Sequence, residues 1–161
     1  MKKDSCVKPR SPRWLPAPFR SGWKLSRKIN QTISEVLAAS QAENLDSVEG
    51  FLSYRQGAVL FYFAYTQTLP GRVVEIGSFK GKSTVWLAKA LELLQRDEKV
   101  VAIDPHINTG ETGVVPIYDE KSSYDAFLKN LSRLNLPRWV EPIVATSETA
   151  AKNWNEQIRF L

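Results

Sequence analysis

The sequence predicts a doubly wound α/β domain on a parallel sheet of about four strands, preceded by helices and a basic, proline-rich arm. Three observations carry that expectation. Short apolar strands alternate with longer helical stretches from residue 73 onward, a glycine turn joins the first strand to the first helix, and the second strand ends on an acid, Asp104. Alternation of this kind implies a parallel sheet with helices on both faces.

Taken in order, residues 1–28 form the arm. They carry nine Lys or Arg against one Asp, with Pro9, Pro12, Pro16 and Pro18 breaking any regular element, whereas the rest of the chain carries thirteen basic and sixteen acidic residues. The net charge of +5 is therefore a property of the arm. Trp14, Phe19 and Trp23 lie between its charges, a composition able to stack on bases or to sit on an anionic surface. Regular spacing and a recognisable nucleic-acid module are both missing, so the preferred reading is a poorly ordered leader whose aromatics pack on the domain.

Residues 29–70 read as a helical segment. Ile29, Ile33, Val36 and Leu37 recur at helical spacing around Asn30–Gln41, so one apolar face packs on the sheet or caps a pocket. Asp46-Ser47-Val48-Glu49 is a helix start or a turn. A second helix runs from Ser53 to Gln67, with Leu60, Phe61, Phe63 and Ala64 expected inside and Pro70-Gly71 ending it. Tyr54, Tyr62 and Tyr65 are expected to pack rather than to catalyse.

Residues 71–161 hold the alternating part: strand Val73–Gly77, helix Ser83–Gln95, strand Lys99–Asp104, helix Tyr124–Leu134, strand Val140–Ala145, a further helix over Thr146–Asn155, and a fourth strand starting at Ile158. The stretch His106–Glu120, with Gly110, Gly113 and Pro116, is expected to be a mobile loop over the site.

Composition limits the function classes. A hydrophobic share of 43% with 24% charged residues is that of a globular domain. No run approaches the roughly 20 apolar residues of a membrane span, and prolines interrupt the segment where a signal peptide would be apolar. Cys6 is the sole cysteine, so an internal disulfide is impossible and cytoplasmic residence is the default expectation.

The chemistry concentrates in the run from Val73 to Thr84. Gly77 and Gly81 let the backbone approach a ligand and take φ values that a Cβ disfavours. Ser83 and Thr84 can cap the first helical turn or donate to a ligand. Glu75 and Asp104 are expected side by side, because consecutive parallel strands joined by one crossover usually neighbour each other. Two carboxylates there suit a ligand with hydroxyls and a cationic end. A phosphate-binding P-loop needs four residues between its first glycine and Gly-Lys-Ser/Thr, and only Ser78, Phe79 and Lys80 intervene here. The dinucleotide pattern Gly-x-Gly-x-x-Gly fails as well, because positions 79 and 82 are Phe and Lys. What remains is Glu-x-Gly-x-x-x-Gly.

That arrangement resembles motif I of the class I S-adenosylmethionine-dependent methyltransferases, and Val100–Asp104 resembles their acidic second-strand motif. Glu49-Gly50-Phe51-Leu52-Ser53 through Gln56-Gly57-Ala58, the Gly-Ser-Phe-Lys-Gly-Lys-Ser-Thr turn, Ile103-Asp104-Pro105-His106 and Ala145-Thr146-Ser147-Glu148 together resemble a bacterial subfamily associated with small-molecule or glycan biosynthesis. The resemblance covers residues 48–161 and implies a Rossmann-like fold with S-adenosylmethionine as cofactor. It implies a site made of Glu75, Gly77, Ser78, Gly81, Ser83, Thr84, Asp104, Pro105, His106, Thr146 and Ser147. In that site Glu75 and the glycines cradle the methionine end, Asp104 holds ribose hydroxyls, and Thr146 and Ser147 lie near adenine. Ser53–Gln56 become a rim.

His106, the single histidine, is weighed as base, metal ligand or polar contact to the cofactor. The last is preferred, since Asp119, Glu120 and Asp125 have no ligand spacing and no metal is expected. Lys80 and Lys82 divide between contacting a ligand carboxylate and solvent exposure, with exposure favoured for Lys82. The family architecture has seven strands, and this chain reaches Leu161 inside the fourth, so the expectation is a truncated, cofactor-binding half whose open sheet edge invites self-association or a partner chain. The expected reaction of the complete protein is methyl transfer to oxygen or nitrogen of a small molecule or glycan, with no base assignable here. The alternatives are an inactive cofactor-binding or interaction module, a P-loop-like nucleotide-binding protein, and nucleic-acid binding by the arm.

Overall fold

The computed structural model describes residues 42–107 and 122–160, together with the helical positions Gln31, Ser34 and Ala38. The arm, most of the helix expected at 30–41, residues 108–121 with most of the loop expected over the site (His106–Glu120), and Leu161 lie outside the described residues.

The described chain runs α1 (Ala42–Asp46), α2 (Tyr54–Thr66), β1 (Arg72–Ile76), α3 (Lys82–Leu93), β2 (Val100–Ile103), α4 (Tyr124–Arg133), a 3₁₀ turn (Pro137–Trp139), β3 (Val140–Ile143), α5 (Ser147–Lys152) and β4 (Ile158–Phe160). All four strands are parallel in the order β3-β2-β1-β4. This is the doubly wound, Rossmann-like arrangement that the alternation predicted. Val73–Ile76 pair in register with Val100–Ile103, and those with Val140–Ile143. The connection from β3 to β4 must therefore cross the sheet, which puts α5 on the face opposite the other helices.

Side-chain parity confirms the two faces. Val73, Val100, Ala102 and Val140 face a core shared with Phe61 and Ala64 of α2, Trp86 and Leu91 of α3, and Phe127 and Leu131 of α4. Val74, Val101 and Ile103 face the other way, toward Ile143, Ala150 and Trp154. β2 is buried on both faces, as expected of a central parallel strand. Leu45 and Val48 join the larger core, so the N-terminal helical segment and the sheet share one hydrophobic interior. Gly57 allows α2 and α3 to touch: a Cβ there would lie 2.3 Å from the Trp86 ring.

α2 begins where the sequence placed it. Ser53 caps it in a reciprocal box, accepting from the Gln56 amide while the Gln56 side chain accepts from the Ser53 amide. Asp46–Glu49 proves to be the end of a short helix and the turn after it. Phe61 and Ala64 are buried as expected, but Leu60 is half-buried and Phe63 turns outward, where it stacks on Phe160 of β4 at 6.4 Å. The helix expected over 146–155 stops at Lys152, because Asn153 and Trp154 turn back onto Ala150 and Ala151. Among the described residues no helix is long and apolar enough to cross a membrane.

Candidate functional site

The carboxyl ends of β1 and β2 meet at the glycine turn. Gly77 leaves the strand with φ +84°, Phe79 follows at +47° and Gly81 at +87°. Three left-handed residues within five make a turn too tight for an ordinary run of side chains. At Gly81 a Cβ would lie 3.0 Å from the Phe127 ring, so close packing also selects glycine there. At Gly77 a Cβ would meet nothing within 4 Å, so this residue borders open space. Phe79 has no such licence, and a left-handed non-glycine residue costs roughly 1–2 kcal/mol. It is held by its amide, which donates to Asp104 Oδ2 at 2.8 Å.

Asp104 therefore fastens the turn. Its other oxygen accepts the His106 amide at 2.6 Å, and His106 itself is left-handed at φ +52°. A carboxylate offers about four acceptor positions, so two remain for hydroxyl groups. Glu75 is only 8% exposed and points under the turn, where it accepts from Ser83 Oγ and Thr84 Oγ1. Burial pushes its pKa from 4.5 up to about 6; the two hydroxyl donors pull it down and the Asp104 charge adds to the rise. Ser83 and Thr84 are thus not helix caps. Gly81 occupies the cap position of α3, and the hydroxyls reach back to β1.

His106 is 2% exposed. Its Nδ1 lies 2.9 Å from Ser123 Oγ, and its ring packs against Tyr124 and Phe127 at 5.0 and 5.2 Å. Burial holds its pKa below the ordinary 6.5, against the opposing pulls of Asp104 and the Phe79 backbone. Its Nε2 has no hydrogen-bond partner among the described residues.

In front of the turn lies a cleft of about 280 Å³, lined by Gly50, Phe51, Leu52 and Gln56 on one wall and by Gly77, Ser78, Phe79, Lys82 and Ser83 on the other. Ser78 is buried, and its Oγ has no hydrogen-bond partner among the described residues. Of the residues expected in the site, Gly77, Ser78 and Ser83 line this cleft. Glu75, Gly81 and Thr84 support its floor, and Asp104 and His106 flank it through Phe79. Pro105 follows Asp104 in the same bend. Thr146 and Ser147 lie one strand further along the same sheet edge, where Thr146 Oγ1 caps α5 by accepting the Thr149 amide at 3.2 Å.

Residues 50–52 belong to a segment that carried the family resemblance but were not expected to line the site, whereas Gln56 fell within the expected rim. The available signal was electrostatic: two acids spaced three apart precede two lysines spaced two apart. Lys80, 4% exposed, pairs with Glu49 at 2.9 Å, and Lys82 pairs with Asp46 at 3.4 Å. The exposure expected for Lys82 is thus corrected, because Asp46 draws its amine back across the turn.

Residues 74–161 match a family model described as a methyltransferase domain. Among solved structures, the crystal structure of cofactor-bound Rv0187 from MTB aligns at 24% identity and a TM-score of 0.47, over 74% of this chain and 48% of that one. The chain thus spans about half the length of that protein. No curated protein matches it.

Proposed function

Because the chain belongs to the class I S-adenosylmethionine-dependent methyltransferase family, we propose that the cleft before the glycine turn binds S-adenosylmethionine and that the complete enzyme transfers its methyl group to oxygen or nitrogen of a small-molecule or glycan acceptor. The observation that carries the reading is the cleft itself: Gly77 borders space that a Cβ would occupy, and next to it the Ser78 hydroxyl is buried with no partner among the described residues. Such a cradle fits a ligand that comes close to the backbone and accepts or donates a hydrogen bond.

In this reading Gly77, Ser78 and Gln56 contact the methionine end, while Glu75 supplies negative charge beneath it for an ammonium group. Asp104 offers its two remaining acceptor positions to ribose hydroxyls. Pro105 and His106 border the ribose, and Thr146 and Ser147 stand on the adenine side. When bound, the cofactor would supply an electrophilic sulfonium methyl, with the thioether S-adenosylhomocysteine as the leaving group. The chain's own contribution is positioning and exclusion of water by the two cleft walls. His106, kept neutral by burial, acts as a polar contact. Residence in the cytoplasm, a boundary near residue 70 and self-association through the sheet edge belong to the same proposal; Pro142 on the outer strand β3 works against the last of these.

The P-loop alternative is disfavoured by the same geometry. Lys82 is turned toward Asp46 and the Ser83 hydroxyl is taken by Glu75, so neither is directed to a triphosphate and its metal ion. Isothermal titration calorimetry with S-adenosylhomocysteine tests the proposal. Saturable binding by the chain, abolished by Gly77→Val, supports it, and absence of binding by a folded chain overturns it.

A further inference from the structure

The segment facing the glycine turn is fixed at two levels. Leu45 and Val48 sit in the main core and Leu52 packs against it, so the segment as a whole is held by apolar burial. Between Val48 and Leu52 the backbone leaves the core as a short bridge, Glu49-Gly50-Phe51, and Phe51 is 76% exposed. Two ion pairs join this region to the turn. Glu49 reaches Lys80, whose amine is almost wholly buried and lies 5.6 Å from the Phe79 ring centroid, and Asp46 reaches Lys82. Gly50 lies over the Lys82 stem, so closely that a Cβ would meet Lys82 Cβ at 3.0 Å.

These lysines bracket Gly81, and their partners stand at the end of α1 (Asp46) and at the first residue of the bridge (Glu49). The spacing of the two cleft walls, 50–52 and 77–79, is therefore braced by these two ion pairs in addition to the apolar anchors and the Gly50–Lys82 contact. We propose that Asp46 and Glu49 are positioning residues: through Lys82 and Lys80 they clamp the 49–51 bridge onto the glycine turn and hold the cleft at the width its ligand needs. This rests on the reading of the cleft as the S-adenosylmethionine site. Pairs with one partner exposed weaken with ionic strength, so the clamp makes ligand affinity depend on salt although the ligand touches neither acid.

Glu49 is 57% exposed on its side chain and Asp46 39%, so neutral variants leave the core untouched. Glu49→Gln and Asp46→Asn in the full chain are titrated with S-adenosylhomocysteine at 50 and 500 mM salt, and hydrogen exchange is followed at the amides of Gly50–Leu52, Phe79 and Gly81. The expected result at low salt is an affinity loss of about fivefold for Glu49→Gln and about twofold for Asp46→Asn. Both gaps should narrow at high salt, exchange at the bridge and the turn should be faster, and Glu49→Gln should lower the melting temperature more than Asp46→Asn, because it takes the Glu49 charge away from the nearly buried Lys80. Wild-type affinity with wild-type exchange in both variants overturns the clamp. If the wild-type chain binds no ligand, the cofactor reading fails instead, and exchange alone decides: faster exchange in the variants supports the clamp, and unchanged exchange refutes it.

Discussion

Replacing Glu75 by Gln should change how stability responds to pH, in a direction opposite to that of an ordinary salt-bridged carboxylate. Burial raises the Glu75 pKa from 4.5 to about 6. The folded state therefore binds the proton more tightly than the unfolded state does. Between pH 4.5 and pH 6 the unfolded chain releases this proton first, so stability falls as pH rises through the window. A shift of this size corresponds to about 2 kcal/mol. Above pH 6 the folded protein carries the full cost of a buried charge, and below pH 4.5 it carries none. His106 acts in the opposite sense in a neighbouring range. Its pKa is lowered, so its contribution is present above 6.5 and lost as pH falls through the folded value. The wild-type profile mixes the two, and the informative quantity is the difference between wild type and Glu75→Gln. Urea unfolding at pH 4.5, 5.5, 6.5 and 7.5 should show wild type losing about 2 kcal/mol relative to the variant on going from the lowest to the highest pH. A difference that is flat, or that favours wild type as pH rises, would mean that Glu75 is not buried beneath the turn as described.

Four further outcomes follow from the geometry. Gly57→Ala forces a methyl against the Trp86 ring and should cost about 1–3 kcal/mol by chemical denaturation. Trp86→Ala empties the centre of the larger core and should cost about 3–5 kcal/mol, enough to abolish a cooperative melt. Gly77→Ala places its methyl in open space at a left-handed position, so it should cost only about 1–2 kcal/mol of stability while weakening adenosyl-ligand binding far more, as separate melting and calorimetric titrations would show. Asp104→Asn removes the charge that fastens the Phe79 and His106 amides, and hydrogen exchange at both amides should accelerate.

The strands, their shared parallel direction and the turn were legible because they rest on local patterns: apolar runs of four or five residues, glycines at positions that need positive φ, and an acid at a strand end. Glu75 and Asp104 were placed together correctly because register between neighbouring parallel strands leaves little choice. What local pattern could not specify was the direction in which a side chain spends its hydrogen bonds. Ser83 and Thr84 are suited equally to capping and to bracing Glu75, and the choice is made by a turn that brings residues eight and nine apart into contact. Lys82 looked like a solvated charge because Asp46, its partner, is thirty-six residues away. Phe63 fell on the expected helical face, yet β4 arrives on that side to offer a stacking partner at the surface in place of the core. The segment Gly50–Leu52 was noticed through its resemblance, yet its place as a cleft wall depends on a contact with a turn some thirty residues away, which local pattern does not show.

The most direct test is a thermal melt of the chain with S-adenosylhomocysteine, with ATP as the control ligand and Asp104→Ala as the control variant. An upward shift with the adenosyl ligand alone, lost in the variant, is the predicted result. A cooperative melt that the adenosyl ligand leaves unmoved, or one that ATP raises equally, would contradict the assignment of the cleft.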